Sequence, residues 1–114
     1  MLGASPNSGR YSWKAVQSLR SHGHEVVAVG NREGTIGDVE IHTDLPAAKD
    51  VDTVTLYMNA GRQRAFHDYI LGLSPKRLIF NPGAENDELA DLAGKKGIET
   101  VEGCTLVMLS IGNY

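Results

Sequence analysis

The residues best suited to chemistry stand at the front of the chain, in the glycine-rich stretch from Gly3 to Ser12. Gly3 permits a tight turn, and Gly9 lets the backbone approach a bound group that a Cβ would obstruct. The next segment, Trp13 to Ser21, has the apolar spacing of a helix. A loop that leads into a helix N-terminus presents unpaired N–H groups and the positive end of the helix dipole, so this stretch predicts a phosphate site.

Side chains of this loop offer further donors to a phosphate. Hydroxyls stand at Ser5, Ser8 and Ser12, and Arg10 adds a guanidinium. The pattern Gly-Ala-Ser-x-x-x-Gly, which includes Ala4, is weak by itself because a plain turn before a capped helix would also explain it. Its position ahead of alternating strands and helices favours phosphate binding.

The residues after the second predicted strand, Glu25 to Val29, discriminate between nucleotides. An NAD site needs an acidic residue at this strand tip, but the chain has Gly30, Asn31 and Arg32 there. NAD is therefore disfavoured, and Arg32 suits the additional ribose phosphate that NADP and coenzyme A both carry. The alternative is a solvated arginine beside its neighbouring glutamate.

Strands and helices alternate along the rest of the chain. The first strand can include only Met1 and Leu2, so we expect it to be very short and to leave the backbone beside it poorly paired. The section from Arg32 to Asp50 predicts a long connection, with a weak extended piece at Val39–His42 and a helical turn near Ala47. The later strands are predicted at 52–58, 76–80 and 98–102, and the later helices at 59–73 and 85–95. The continuous run at 105–111 is ambiguous between helix and strand, and Thr105 as an N-cap favours the helix.

This alternation predicts an α/β fold, a single Rossmann-like three-layer domain over residues 1–114. Its sheet is expected to be mostly parallel, with about five strands and helices on both faces. Ligands of such sheets bind outside the carboxyl ends of the strands. Four segments are expected to meet there: 3–12, 30–33, 57–61 and 81–84.

Composition limits the function classes. The chain has 114 residues, of which 41% are hydrophobic and 22% charged, as in one globular domain. A net charge of −3 provides no global basic field for nucleic acid or an anionic membrane. The only cysteine, Cys104, excludes an internal disulfide and fits a cytoplasmic protein. The longest apolar runs, such as Leu106 to Leu109, are far too short to span a membrane.

The chain offers little for catalysis. Cys104 has no partner near it in sequence and is better explained as a core thiol than as a nucleophile. The four histidines have no metal-ligand spacing and are most simply surface or helix-end residues. No paired carboxylates, serine triad or Walker lysine are present. The pattern favours a binding protein over an enzyme.

The ordered combination of the loop from Gly3 to Ser12, the strand ending at Asn31, the turn Asn81-x-Gly83 and the late Cys104 resembles the small stand-alone CoA-binding domain proteins. These proteins are similar to the CoA-binding domain of the succinyl-CoA synthetase α subunit. The resemblance covers the whole chain and implies binding of coenzyme A or an acyl-CoA. The residues it assigns to the phosphates are Gly3, Ala4, Ser5, Gly9, Arg10 and Ser12. Those near the adenosine are Asn31 and Arg32, and those along the crevice floor are Tyr57, Met58, Asn81 and Gly83.

Two alternatives stay open. The same loop could serve an oxidoreductase or redox sensor that uses NADP or NAD. A protein-interaction domain without a ligand is the other, because family members commonly carry an arginine where this chain has Met58, and because the front of the chain is short. The acyl group, the protein partner and the oligomeric state, including a homodimer, also stay open.

Overall fold

The computed structural model describes residues 1–114 and divides the chain into two compact units. The first unit contains Met1–Pro46 and Thr105–Tyr114, and the second contains Ala47–Cys104. In chain order the elements are α1 (Tyr11–Ser21), β1 (Ala28–Val29), β2 (Gly34–Ile36), β3 (Val39–His42), β4 (Thr53–Leu56), α2 (Ala60–Gln63), a 3-10 turn (Arg64–Phe66), α3 (His67–Gly72), β5 (Arg77–Phe80), α4 (Asp87–Lys95), β6 (Glu99–Glu102) and α5 (Thr105–Ser110).

The sheet of the first unit has the order β1-β3-β2, in which β3 runs parallel to β1 and antiparallel to β2. The pairing of Ile36 with Val39 leaves Gly37 and Asp38 as a two-residue hairpin turn. Gly37 has a φ of 60°, which suits the first position of such a turn. The Arg20 guanidinium of α1 binds Asp38, with a shortest N–O distance of 2.7 Å, and this hydrogen bond lowers the pKa of the Asp38 carboxyl.

The prediction of a long connection with a helical turn near Ala47 was wrong in part. The extended piece at Val39–His42 is confirmed as β3, but it pairs with a second strand, and no helix forms at Ala47. Ile36, Val39 and Ile41 are buried, and their burial stabilises the hairpin despite its polar surroundings.

The first predicted strand is reduced to one parallel bridge, between Leu2 and Val29. Its shortness is therefore confirmed. The backbone that faces β1 is nevertheless paired. The N–H groups of Gly3 and Ala4 both donate to the Val29 carbonyl at 2.9 Å, and the Val29 N–H donates to the Met1 carbonyl. β1 is shorter than predicted, because only Ala28 and Val29 pair with β3.

The second unit contains a three-stranded parallel sheet in the order β4-β5-β6. The predicted strands here are confirmed with slightly shorter bounds. The helix predicted from Asn59 is also present, and the Asn59 side chain accepts the Arg62 N–H as its N-cap. The 3-10 turn interrupts this helix. The apolar spacing in the sequence predicted the buried face, which includes Ile70, but did not predict the interruption.

The helices agree closely with the sequence pattern. α1 begins two residues earlier than predicted, and Gly23 just after it has a φ of 83°, as expected for a helix terminus. α4 begins after an Asn86 cap, and the ambiguous run after Cys104 is the helix α5. An α/β fold is therefore confirmed. None of the helices is long and apolar enough to cross a membrane.

Candidate ligand-binding site

The glycine-rich loop of the first unit is held in shape by its own side chains. Gly3 has a φ of 95°, a conformation that favours glycine. The Ser5 hydroxyl accepts the Asn7 N–H at 3.2 Å, and the Asn7 Oδ1 accepts the Gly9 N–H at 2.9 Å. The Arg10 N–H then donates to the Asn7 carbonyl at 3.0 Å. Asn7 thus organises the loop. It was missed in the sequence, although an asparagine side chain that accepts the N–H two residues later is a known turn motif.

The start of α1 lacks a side-chain cap. Arg10 occupies the N-cap position in an extended conformation, and its side chain makes no capping hydrogen bond. An N-cap serine, threonine, aspartate or asparagine would offer an oxygen to the first N–H groups of the helix, whereas arginine has only donors. The first turn of α1 also contains no acidic residue. Its N–H groups and the helix dipole therefore suit an external anion.

The predicted phosphate-binding residues differ in exposure. Gly9 and Arg10 are exposed, and Gly3 and Ser5 are half-buried. A Cβ on Gly9 would meet only the Asn7 Oδ1, at 3.3 Å, so the other side of this residue is open. Ala4 and Ser12 are buried, and they contribute packing beneath the loop.

The loop rests on two glycines near the strand ends. A Cβ on Gly30 would lie 2.1 Å from the Ala4 carbonyl oxygen, and one on Gly34 would lie 2.7 Å from the Pro6 Cβ. Only glycine at position 30 permits this backbone approach.

Asn31 and Arg32 follow directly and are exposed. Arg32 takes part in none of the ion pairs, which are formed by other residues. The neighbouring Glu33 therefore does not hold its guanidinium.

The candidates in the second unit have different surroundings. Tyr57 is half-buried directly after β4, and the Met58 side chain is buried. Asn81 is buried at the end of β5, where its Nδ2 donates to the Thr55 Oγ1 at 2.7 Å and to the Leu56 carbonyl at 2.9 Å. Asn81 therefore ties the ends of β4 and β5 together.

Gly83, in the turn after β5, is exposed and has a φ of 90°, and its N–H donates to the Glu85 carboxylate at 2.9 Å. Three buried polar residues of the second unit escaped the sequence interpretation: Gln63, His67 and Asn86. Asn86 precedes a helical period and so carries a recognisable cap signal. Gln63 carries none. His67 stands at the start of a helix, as expected of a helix-end histidine, but it is buried.

Cys104 is a free thiol of intermediate exposure, so it is less buried than a core residue. No three histidine, cysteine, aspartate or glutamate side chains are grouped in a way that could hold a metal ion.

The chain belongs to the CoA binding domain family, whose model matches residues 1–110. Among solved structures it is similar to an uncharacterized protein, with a TM-score of 0.96, 50% identity, and coverage of 99% of this chain and 93% of the other. A protein from Thermus thermophilus has a TM-score of 0.86, 20% identity, and coverage of 99% and 87%. A hypothetical protein from Pyrococcus horikoshii OT3 has a TM-score of 0.86, 19% identity, and coverage of 96% and 79%. The last two show the fold alone. The comparison with curated proteins gave no match.

The contact between Gly30 and Ala4 predicts a strong effect of a single methyl group. Gly30→Ala should lower the free energy of unfolding by about 1–3 kcal/mol, because the added Cβ must displace the Ala4 carbonyl. Gly94→Ala, in α4 where a Cβ meets nothing within 4 Å, is the control and should stabilise the protein by up to about 1 kcal/mol. Urea unfolding measures both. Equal stability of Gly30→Ala and the parent protein would disprove the close approach.

The buried amide of Asn81 predicts a second loss of stability. Asn81→Ala should cost about 1–3 kcal/mol, because it leaves the Leu56 carbonyl and the Thr55 hydroxyl without this donor. The exposed Asn113→Ala should change stability by less than about 0.5 kcal/mol. Thermal unfolding of the two variants at one pH makes the comparison, and similar melting temperatures would contradict the role assigned to Asn81.

Proposed function

We propose that this protein binds coenzyme A or an acyl-CoA, and that the loop of the first unit holds its diphosphate. The observation that carries the proposal is the uncapped start of α1 beneath a loop already shaped by Gly3 and Asn7. Its N–H groups need no rearrangement to meet an anion, so little ordering entropy is lost on binding. Membership of the CoA binding domain family supports coenzyme A as the anion's source.

Within the proposal, the exposed residues of the loop make the direct contacts. Gly9 offers backbone, Arg10 offers a charged side chain, and Ser5 offers a hydroxyl. Gly3, Ala4 and Ser12 act by keeping the backbone in place. For the second unit, Tyr57 and Gly83 stay predicted ligand contacts, while the buried Asn81 and Met58 shape the backbone near them.

Arg32 is proposed to bind the ribose phosphate of coenzyme A. Its guanidinium is exposed and is not held by another residue's carboxylate, and a guanidinium matches the geometry of a phosphate. Asn31 beside it would face the adenosine.

The proposal is one of binding and assigns no reaction. A Rossmann-like domain with about five strands stays a prediction.

Calorimetric titration with coenzyme A, dephospho-coenzyme A and NADPH tests the proposal. We expect coenzyme A to bind the parent protein, and dephospho-coenzyme A to bind about tenfold more weakly, because one charge-assisted contact worth roughly 1.5 kcal/mol is lost. Arg32→Ala should bind the two coenzymes with equal affinity, because the residue that distinguishes them is gone.

The control is Lys96→Ala, which also removes one positive charge but lies at the C-terminal end of α4, just before β6 begins. It should keep the tenfold preference. No binding of coenzyme A or acetyl-CoA at high micromolar concentration would refute the function. Protection from thermal unfolding by NADPH but not by coenzyme A would instead favour the redox alternative.

A further inference from the structure

The second unit contains a buried group of three polar side chains, Gln63, His67 and Asn86, which we term the amide cluster. Its members come from α2, from the start of α3 and from the N-cap of α4. Buried polar groups in proteins are usually hydrogen-bonded, and a connected set fixes the elements that carry it. The partners of Gln63 therefore indicate what the cluster holds in place.

Gln63 is fully buried, and its Nε2 donates to two backbone carbonyls, those of Met58 and Ala84, each at 2.7 Å. Met58 lies in the loop after β4, and Ala84 lies in the turn after β5. These two segments follow the carboxyl ends of adjacent parallel strands. A single amide group thus holds together two loops that lie beyond the ends of the paired strands.

The rest of the cluster fixes the orientation of that amide. Because both Nε2 hydrogens face carbonyls, the Gln63 Oε1 must accept, and it does so from the Asn86 Nδ2 at 2.9 Å. The Asn86 Oδ1 accepts the Leu89 N–H at 3.1 Å, which caps α4. The Asn86 Nδ2 also lies 3.3 Å from the His67 Nε2, which therefore acts as an acceptor. Rotation of the Gln63 amide by 180° would break the three bonds that this amide makes, to Met58, Ala84 and Asn86.

We propose that Gln63 is a positioning residue of the ligand site, which sets the separation of the segments 57–61 and 81–84. The inference rests on the proposed binding of coenzyme A, because both segments contain predicted ligand contacts, Tyr57 and Gly83. Gln63 itself is inaccessible to a ligand and acts only through the backbone of Met58 and Ala84. Its loss should therefore change the affinity for coenzyme A and the mobility of the two segments together.

The first arm of the test measures amide hydrogen–deuterium exchange without ligand. Gln63→Met has similar length but no donor, so exchange within 57–61 and 81–84 should accelerate at least tenfold relative to the rest of the unit. Ile70→Val, a truncation of another fully buried residue of the same unit, is the control. It should not accelerate these two segments selectively. Uniform acceleration in Gln63→Met would overturn the inference.

The second arm measures the affinity for coenzyme A by calorimetry. Gln63→Met should bind on the order of tenfold more weakly than the parent protein, whereas Ile70→Val should bind within about twofold. If Gln63→Met binds as tightly as the parent, the inference is overturned and the proposed function stands. If the parent binds no coenzyme A, the proposed function falls, and selective loop exchange then supports only a structural clamp.

A milder variant keeps the test decisive if Gln63→Met does not fold. Asn86→Ser retains an N-cap oxygen for α4 but removes the donor to the Gln63 Oε1. It should produce the same two selective effects at smaller size, with about a threefold loss of affinity. An unchanged affinity together with unchanged exchange in the two segments would refute the positioning role.

Discussion

The first unit depends on the approach of two backbone segments, the Ala4 carbonyl and the Cα of Gly30. This approach places the glycine-rich loop directly on the end of β1. The loop then leads into α1 through the turn that Asn7 closes. The contact between Gly30 and Ala4 therefore also positions the N-terminus of α1. Arg32 follows two residues after Gly30. One steric requirement therefore fixes the predicted diphosphate site and the position of the residue proposed to bind the ribose phosphate.

In the second unit, side-chain amides hold the loops that follow the strands. The ends of parallel strands leave carbonyl groups that the sheet no longer pairs, and such groups destabilise a buried loop unless they find donors. Gln63 supplies donors to the carbonyls of Met58 and Ala84. The Asn81 side chain adds a second donor to the Leu56 carbonyl, which already accepts the Asn81 backbone N–H. A carboxamide suits this role because it donates twice without a charge that must be desolvated.

The extent to which the sequence predicted the structure follows from how local each signal is. α1, α4, β4 and β5 have clear periods or β-branched runs, and they were predicted correctly. The hairpin of β2 and β3 was missed because it is short and lies in a polar section, although Gly37-Asp38 is a recognisable turn. Its strands are stabilised by burial, which a propensity does not report.

The features of the candidate site also differ in how local their sequence signals are. The loop from Gly3 to Ser12 was predicted as an anion site from local features, its glycines and the helix that follows, and the anion site stays a prediction. The role of Gly30 was not, because it depends on contact with Ala4, distant in sequence. Gln63 was invisible for the same reason, since a glutamine within a helical segment usually faces water.

Charge and geometry contribute unequally to the proposed site. The chain has a net charge of −3, and coenzyme A is itself anionic, so long-range attraction does not bring them together. Arg10 and Arg32 are exposed, where water and salt screen their charges. The N–H groups at the start of α1 act at short range, and the backbone sets their direction before the ligand arrives. At the proposed site we therefore expect affinity to depend mainly on how accurately the loop is held, and so more on the contacts of Gly30 and Asn7 than on the number of positive charges nearby.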